Sequence, residues 1–246
     1  MEVNGKIYIS NRHTKDDYIK LNLESNSSEE DWEKAIDIFK DRIESRFLKP
    51  IELLLNNEDE GMQCEFSALS IMTFLIETFK QFRDGIVIEK KIETFKQVRN
   101  GTAVEKRIEK LIYKDENNQS KDYITTDIYT DFLSIKPFFL IRDEAELFYT
   151  NVRCGLLHQA ELKDNVVIYK NANNCLDFKN QKNFYINIDS KDSSEIDNPQ
   201  TKKLNIWGIF NLLKEYFDIY SAELESNQKL RKNFIRKMNS IVEKIR

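Results

Sequence analysis

Glycine and proline are scarce in this chain, six and three among 246 residues. Tight turns and short strands draw heavily on both, so a fold built mainly of strands is disfavoured and long helices are expected. Cysteine is as rare: Cys64, Cys154 and Cys175 are odd in number and lack metal-ligand or C-x-x-C spacing. That argues against a disulfide framework and a structural metal, and for a reducing cytosol. No run of eighteen or more apolar residues is present, and Met1-Glu2-Val3-Asn4-Gly5 has neither a basic nor an apolar leader region. A soluble cytoplasmic protein without a membrane partner is therefore expected. Excess positive charge is missing too, with 38 Lys and Arg against 42 Asp and Glu and a net charge of −4. A surface built throughout to grip nucleic acid is excluded, while a local basic patch is not.

What the chain does have is enough hydrophobic residues, 40%, to bury one sizeable core, and a single domain over 1–246 is expected. Trp32, Ile36, Phe39, Ile43, Phe47, Ile51 and Leu54 recur every three or four residues and predict a long amphipathic helix, with Pro50 placed to kink or split it. From Glu24 to Glu60 there are twelve acidic and five basic residues, which makes this half of the scaffold a poor surface for RNA. A second helix is predicted from Cys64 through Phe82, a short one around Ile128 and Phe132 ending at Pro137, and two more at 205–224 and after Gln228. The last is a basic amphipathic element, with seven basic residues and one acidic from Gln228 to Arg246.

Residues 77–92 and 93–108 form a direct repeat matching at ten of sixteen positions. Two units are too few for a solenoid, so the repeat is expected to lengthen one helix-turn region, with Gly85 and Gly101 as helix stops. With nine Lys and Arg against six Asp and Glu over 77–111, it is also a candidate basic surface. After residue 163 the pattern changes to β-prone runs at Val166–Tyr169, Cys175–Phe178 and Phe184–Ile188, predicting a β-rich insertion at about 164–190 as an antiparallel hairpin or meander.

The chemistry concentrates in Phe148-Tyr-Thr-Asn-Val-Arg-Cys-Gly-Leu-Leu-His-Gln-Ala-Glu161, which carries one of only two histidines. The other, His13, lies in a polar setting and reads as a solvated surface residue. Arginine is permanently charged and clamps phosphate through a planar fork, while histidine exchanges a proton near neutrality. Arg153 and His158 thus suit cleavage of RNA, whose own 2′-hydroxyl attacks phosphorus once proton transfer is assisted and charge on the nonbridging oxygens is stabilised. An Arg and a His five residues apart also arise by chance, with His158 then a cation at a helix end. Five helical steps separate the two side chains by about 140°. Either Gly155 loosens the helix, or a second subunit completes the site.

Arg153-x4-His158 within an apolar helix resembles the HEPN superfamily, whose Arg-x4–6-His motif marks metal-independent endoribonucleases and some noncatalytic relatives. The flanking Asn151-Val-Arg-Cys-Gly-Leu-Leu-His-Gln-Ala-Glu161 looks like the fuller motif of helical proteins in bacterial antiviral and toxin systems. The resemblance implies a mainly α HEPN-type helical bundle and a homodimer whose motif helices form a composite active site. It also implies RNA as substrate, no cofactor or metal, and regulation by an antitoxin or an activating ligand. Catalysis would fall to Arg153 and His158, with Asn151, Cys154, Gln159 and Glu161 as auxiliary candidates. The alternative is a noncatalytic dimeric binding or regulatory module on the same scaffold. Cys154 stands where many HEPN proteins have a polar residue, and is better suited to packing than to nucleophilic attack.

Overall fold

The computed structural model describes residues 2–3, 5–57, 64–99, 102–114, 120–121, 125–163, 166–169, 185–186 and 202–245. Helices dominate. They are α1 (Lys15–Lys20), α2 (Glu29–Ile43), α3 (Lys49–Leu55), α4 (Cys64–Asp84), α5 (Thr125–Leu133), α6 (Arg142–Leu147), α7 (Cys154–Gln159), α8 (Ile206–Glu223) and α9 (Gln228–Lys244). The short helix α1, within a stretch whose sequence shows no helical period, is started by a reciprocal cap between Thr14 and Asp17. Helices α2 and α3 form one rod, because Pro50, which has no N–H, is preceded by a π-helical turn over Glu44–Leu48. In that turn the Lys49 N–H donates to the Glu44 carbonyl, so the helix changes register and does not break.

The core lies among α2, α4, α8 and α9. Phe39 is fully buried, and its ring meets Phe82 at 4.8 Å, Tyr220 and Phe234 each at 5.6 Å, and Phe217 at 5.8 Å. A second aromatic group, Phe79, Phe132, Phe138 and Tyr216, ties α5 to the same helices. Arg231 lies 4.6 Å over the Trp32 ring and donates to the Leu224 carbonyl at 2.8 Å, joining the start of α2 to the turn between α8 and α9. It is therefore a buried structural cation, although its helix reads as basic surface.

The N-terminal segment docks on α2 through Asp41, which is buried and accepts from the Arg12 backbone N–H at 2.7 Å and from Arg12 Nε at 3.1 Å. Burial pushes the Asp41 carboxyl up, but bonds from Arg12 and Ser10 together hold it below the usual carboxylate range. A depressed acid stabilises the fold above its unfolded pKa of about 3.9 and loses that contribution as pH falls through its lower folded value. Asp41→Asn should therefore lower Tm at neutral pH by roughly 2–4 °C and flatten the acid limb of a Tm–pH profile, which thermal scans would measure. Identical acid limbs would remove Asp41 from the account.

The repeat departs from expectation. Its first eight residues, Glu77–Asp84, complete α4, whereas Glu93–Arg99, matching the first seven, lies in a strand. Strands β3 (Val87–Arg99) and β4 (Thr102–Lys114) pair antiparallel from Val87↔Lys114 to Arg99↔Thr102 as one long hairpin. The expected lengthening of a helix is thus corrected to a helix-to-hairpin switch. Gly85 does stop α4, at φ +62° with the Ile86 N–H donating to the Gln81 carbonyl at 2.9 Å. Gly101 lies outside the described residues.

The sheet after the motif is also corrected. Strand β6 (Val166–Tyr169) pairs parallel with β8 (Lys202–Asn205), and β7 (Tyr185–Ile186) pairs antiparallel with β8, so the sheet is mixed. The central strand falls beyond the 164–190 window. Its Leu204 is fully buried, and Asn205 caps α8 by accepting from the Gly208 N–H at 2.9 Å, which fixes the strand to the bundle. The predicted run at 175–178 lies outside the described residues. Smaller pairings join β1 (Glu2–Val3) to β2 (Lys6–Ile7), and β5 (Ser120–Lys121) to β4. Among the described residues no helix is long and apolar enough to cross a membrane.

Candidate active site

The motif helix is continuous from Arg142 to Gln159, with a π-helical turn over Phe148–Arg153 between α6 and α7. Ala145, Phe148, Val152 and Leu156 are its buried face. Cys154 donates its N–H to the Tyr149 carbonyl, and the Asn151 carbonyl accepts from the Lys163 N–H at 2.9 Å. The chain after the helix thereby folds back on the π turn.

Gly155 makes that return path available. It does not loosen the helix, since it sits inside regular α7. A Cβ there would run into the Glu161 carbonyl oxygen and lie 3.1 Å from the Lys163 nitrogen. An exposed Gly→Ala change in a helix ordinarily stabilises by about 1 kcal/mol. Here Gly155→Ala should instead lower Tm, as calorimetry would show, and a rise would mean that the return turn yields freely.

Arg153 is turned away from solvent, its side chain 18% exposed. Its Nε and one terminal nitrogen donate to Glu77 Oε1 of α4 at 3.1 and 2.9 Å. The guanidinium also lies 5.7 Å from the centre of the Tyr149 ring. Burial works against its charge, but Glu77 and the neighbouring tyrosines outweigh that and raise its pKa further. The buried Tyr129 hydroxyl donates to the Thr73 carbonyl at 2.9 Å and lies 3.3 Å from Glu77 Oε1. Burial first, and the Glu77 charge second, push Tyr129 and the hairpin's Tyr113 up, so both hydroxyls stay protonated near neutrality. Glu77, Tyr113, Tyr129 and Tyr149 thus form the surroundings of Arg153. The sequence offered no sign of this, because Glu77 is 76 residues away with no spacing rule to connect it.

His158 is exposed in the last turn of α7. The π turn ends at Arg153, before the five steps that separate the pair, so it leaves their angular offset in place. Arg153 and His158 share a helix but not a face. Of the auxiliary candidates, Gln159 and Glu161 are exposed, while Asn151 and the free Cys154 are half-buried. Next to the ion pair in each helix stand exposed apolar side chains: Phe74, one turn before Glu77, and Leu157, one turn after Arg153.

His13 differs from its expected solvated state. Its side chain is 25% exposed and its Nε2 lies 3.0 Å from Asp37 Oδ2. It lines a cavity of about 380 Å³ together with Asp17, Leu21, Glu33, Lys34 and Ile38. Among the described residues no group of three or more His, Cys, Asp or Glu is placed to hold a metal ion. Comparison with protein-family models, curated proteins and solved structures finds no match to this chain.

Proposed function

We propose that the protein is a metal-independent endoribonuclease of HEPN type, acting in bacterial antiviral defence or as a toxin. The observation that carries this reading is an arginine fork oriented by Glu77 on the same short helical segment as a solvent-accessible histidine. In the reaction the ribose 2′-hydroxyl attacks the adjacent phosphorus and the 5′-oxygen leaves, giving a 2′,3′-cyclic phosphate and a 5′-hydroxyl. Arg153 stabilises the nonbridging oxygens, and one His158 takes the 2′-hydroxyl proton. The His158 of a second copy protonates the leaving oxygen. A homodimer answers the angular offset within one chain, and exposed Leu157 and Phe74 offer it apolar surface beside the reacting groups. Regulation by an antitoxin or activating ligand belongs to the same reading.

A specific observation favours the alternative, a noncatalytic dimeric binding module: the Arg153 charge is already neutralised within the chain by Glu77. Incubating purified protein with total RNA in EDTA, and identifying the product ends, separates the two. Cyclic phosphate ends that disappear in a His158→Ala protein are expected. RNA left intact by wild type under every activating condition tried, or equal cutting by the variant, sinks the catalytic reading. The dimer has its own check: Leu157→Asp should shift the light-scattering mass to that of a monomer, and an unchanged mass would place any dimer contact elsewhere.

A further inference from the structure

The β3–β4 hairpin concentrates positive charge. Between Val87 and Lys114 there are eight basic and four acidic residues, in a chain whose net charge is −4. Thirteen residues in each strand, at about 3.4 Å apiece, give a ribbon about 40 Å long, against roughly 30 Å for α4. Its described contacts with the helices lie at the base. There β3 packs on α9, Lys244 donates to the Ile88 carbonyl, and half-buried Tyr113 packs against the core. Tyr113 is also one of the groups around Arg153, so the ribbon starts beside the motif helix.

The register sorts these charges onto two faces. Residues directly opposite each other in an antiparallel pair share a face, and successive residues alternate. On one face Lys90 is paired with Leu111, Ile92 with Glu109, Thr94 with Arg107 and Lys96 with Glu105, so cations and acids are interleaved. On the other, Lys91 is paired with Lys110, Glu93 with Ile108, Phe95 with Lys106 and Arg99 with Thr102. Nearer the base of this second face, Glu89 and Lys114 cancel each other at 2.6 Å. From Lys91 to Arg99 the face then holds four cations and one acid, with an aromatic residue among them. Like charges directly opposite weaken a hairpin, so the Lys91–Lys110 rung is a place where an anion laid across the ribbon is favoured.

We infer that this second face of the hairpin is an arm that binds single-stranded RNA, with Lys91, Arg99, Lys106 and Lys110 serving the phosphates and Phe95 a base. Same-face rungs recur about every 7 Å, which lets the cations follow a backbone of regularly spaced phosphates. The aromatic residue decides between polyanions. An acidic peptide would use the cations alone, whereas every base presents a π face on which a ring stacks. The acidic balance of the whole chain confines RNA to a local surface of this kind. RNA as the occupant rests on the ribonuclease reading, to which the arm adds a means of capture: a strand held along it reaches the bundle beside Arg153.

The test measures binding of a fluorescent single-stranded 2′-O-methyl RNA, which lacks the attacking hydroxyl and cannot be cut, over a series of salt concentrations. Removing three cations from the proposed face, in Lys91→Gln/Lys106→Gln/Lys110→Gln, should weaken binding about tenfold or more and reduce the salt slope of log affinity by about 2. Lys90→Gln/Lys96→Gln/Arg107→Gln removes the same charge from the opposite face and should weaken binding by less than about threefold. Phe95→Ala should weaken it about fivefold or more. Amide exchange over Val87–Lys114 checks that the hairpin survives each substitution. Lys91→Arg/Lys106→Arg/Lys110→Arg, which keeps the charge, should bind as wild type does. Equal losses from the two faces, full affinity in the first triple variant or in Phe95→Ala, or no binding by wild type overturns the proposal. Cutting of ordinary RNA is scored separately: binding without cutting retains the arm and sinks the ribonuclease, whereas cutting that ignores this face does the reverse.

Discussion

RNA cleavage by a His158→Ala protein is expected to fall by about 10²–10⁴-fold, the range over which a positioned acid–base group accelerates proton transfer. This equals roughly 3–5 kcal/mol of barrier. Because His158 is exposed, the variant should keep the wild-type Tm and light-scattering mass, so lost activity would report on chemistry alone. Arg153 is a poorer probe of chemistry. Removing it leaves the half-buried Glu77 carboxylate without its cation, so Arg153→Ala should lose stability as well as activity. Arg153→Lys keeps the charge but not the fork, and should hold more of the stability than of the rate. A single-turnover assay with a cyclic-phosphate readout measures all three. A His158→Ala protein that keeps more than about a tenth of the rate would remove the imidazole from the reaction.

Phe39→Ala is expected to give the largest stability loss, about 3–5 kcal/mol, because the ring is fully enclosed and its removal leaves a cavity between rigid aromatic neighbours. In a chain of this size that corresponds to a Tm lower by roughly 6–20 °C. Phe139→Ala is the matched control: Phe139 is 68% exposed and its loss should shift Tm little. Comparable shifts for the two variants, measured by thermal denaturation, would mean that the four rings around Phe39 relax to fill the space.

The helices were legible because an apolar stripe with a helical period is a local signal. Trp32, Ile36, Phe39 and Ile43 announce α2, and the aromatic residues of α4 and α8 announce the core they share. The motif helix was legible for the same reason. What could not be read depends on partners distant in the chain. Glu77 meets Arg153, and Asp37 meets His13, across separations that carry no periodic mark. Strand β8 pairs with β6 over more than thirty residues, so its central place in the sheet had no local sign.

Glu-Thr-Phe-Lys-Gln is helical at 77–81 and extended at 93–97, so these five residues do not choose their own conformation. The chain holds two near-copies competing for one slot in the bundle, and the difference between them acts as a selector. In the helical copy Phe79 and Phe82 both enter the aromatic core, and Lys80 pairs with Asp84. The second copy has Val98 at the position matching Phe82 and Asn100 at that of Asp84. In the slot it would leave a void beside Phe39 and a buried ammonium with only the more distant Asp131, 3.6 Å from Lys80, as its carboxylate. A duplication that could have made the fold degenerate is resolved by two side chains, and the unsuccessful copy is released to form the hairpin.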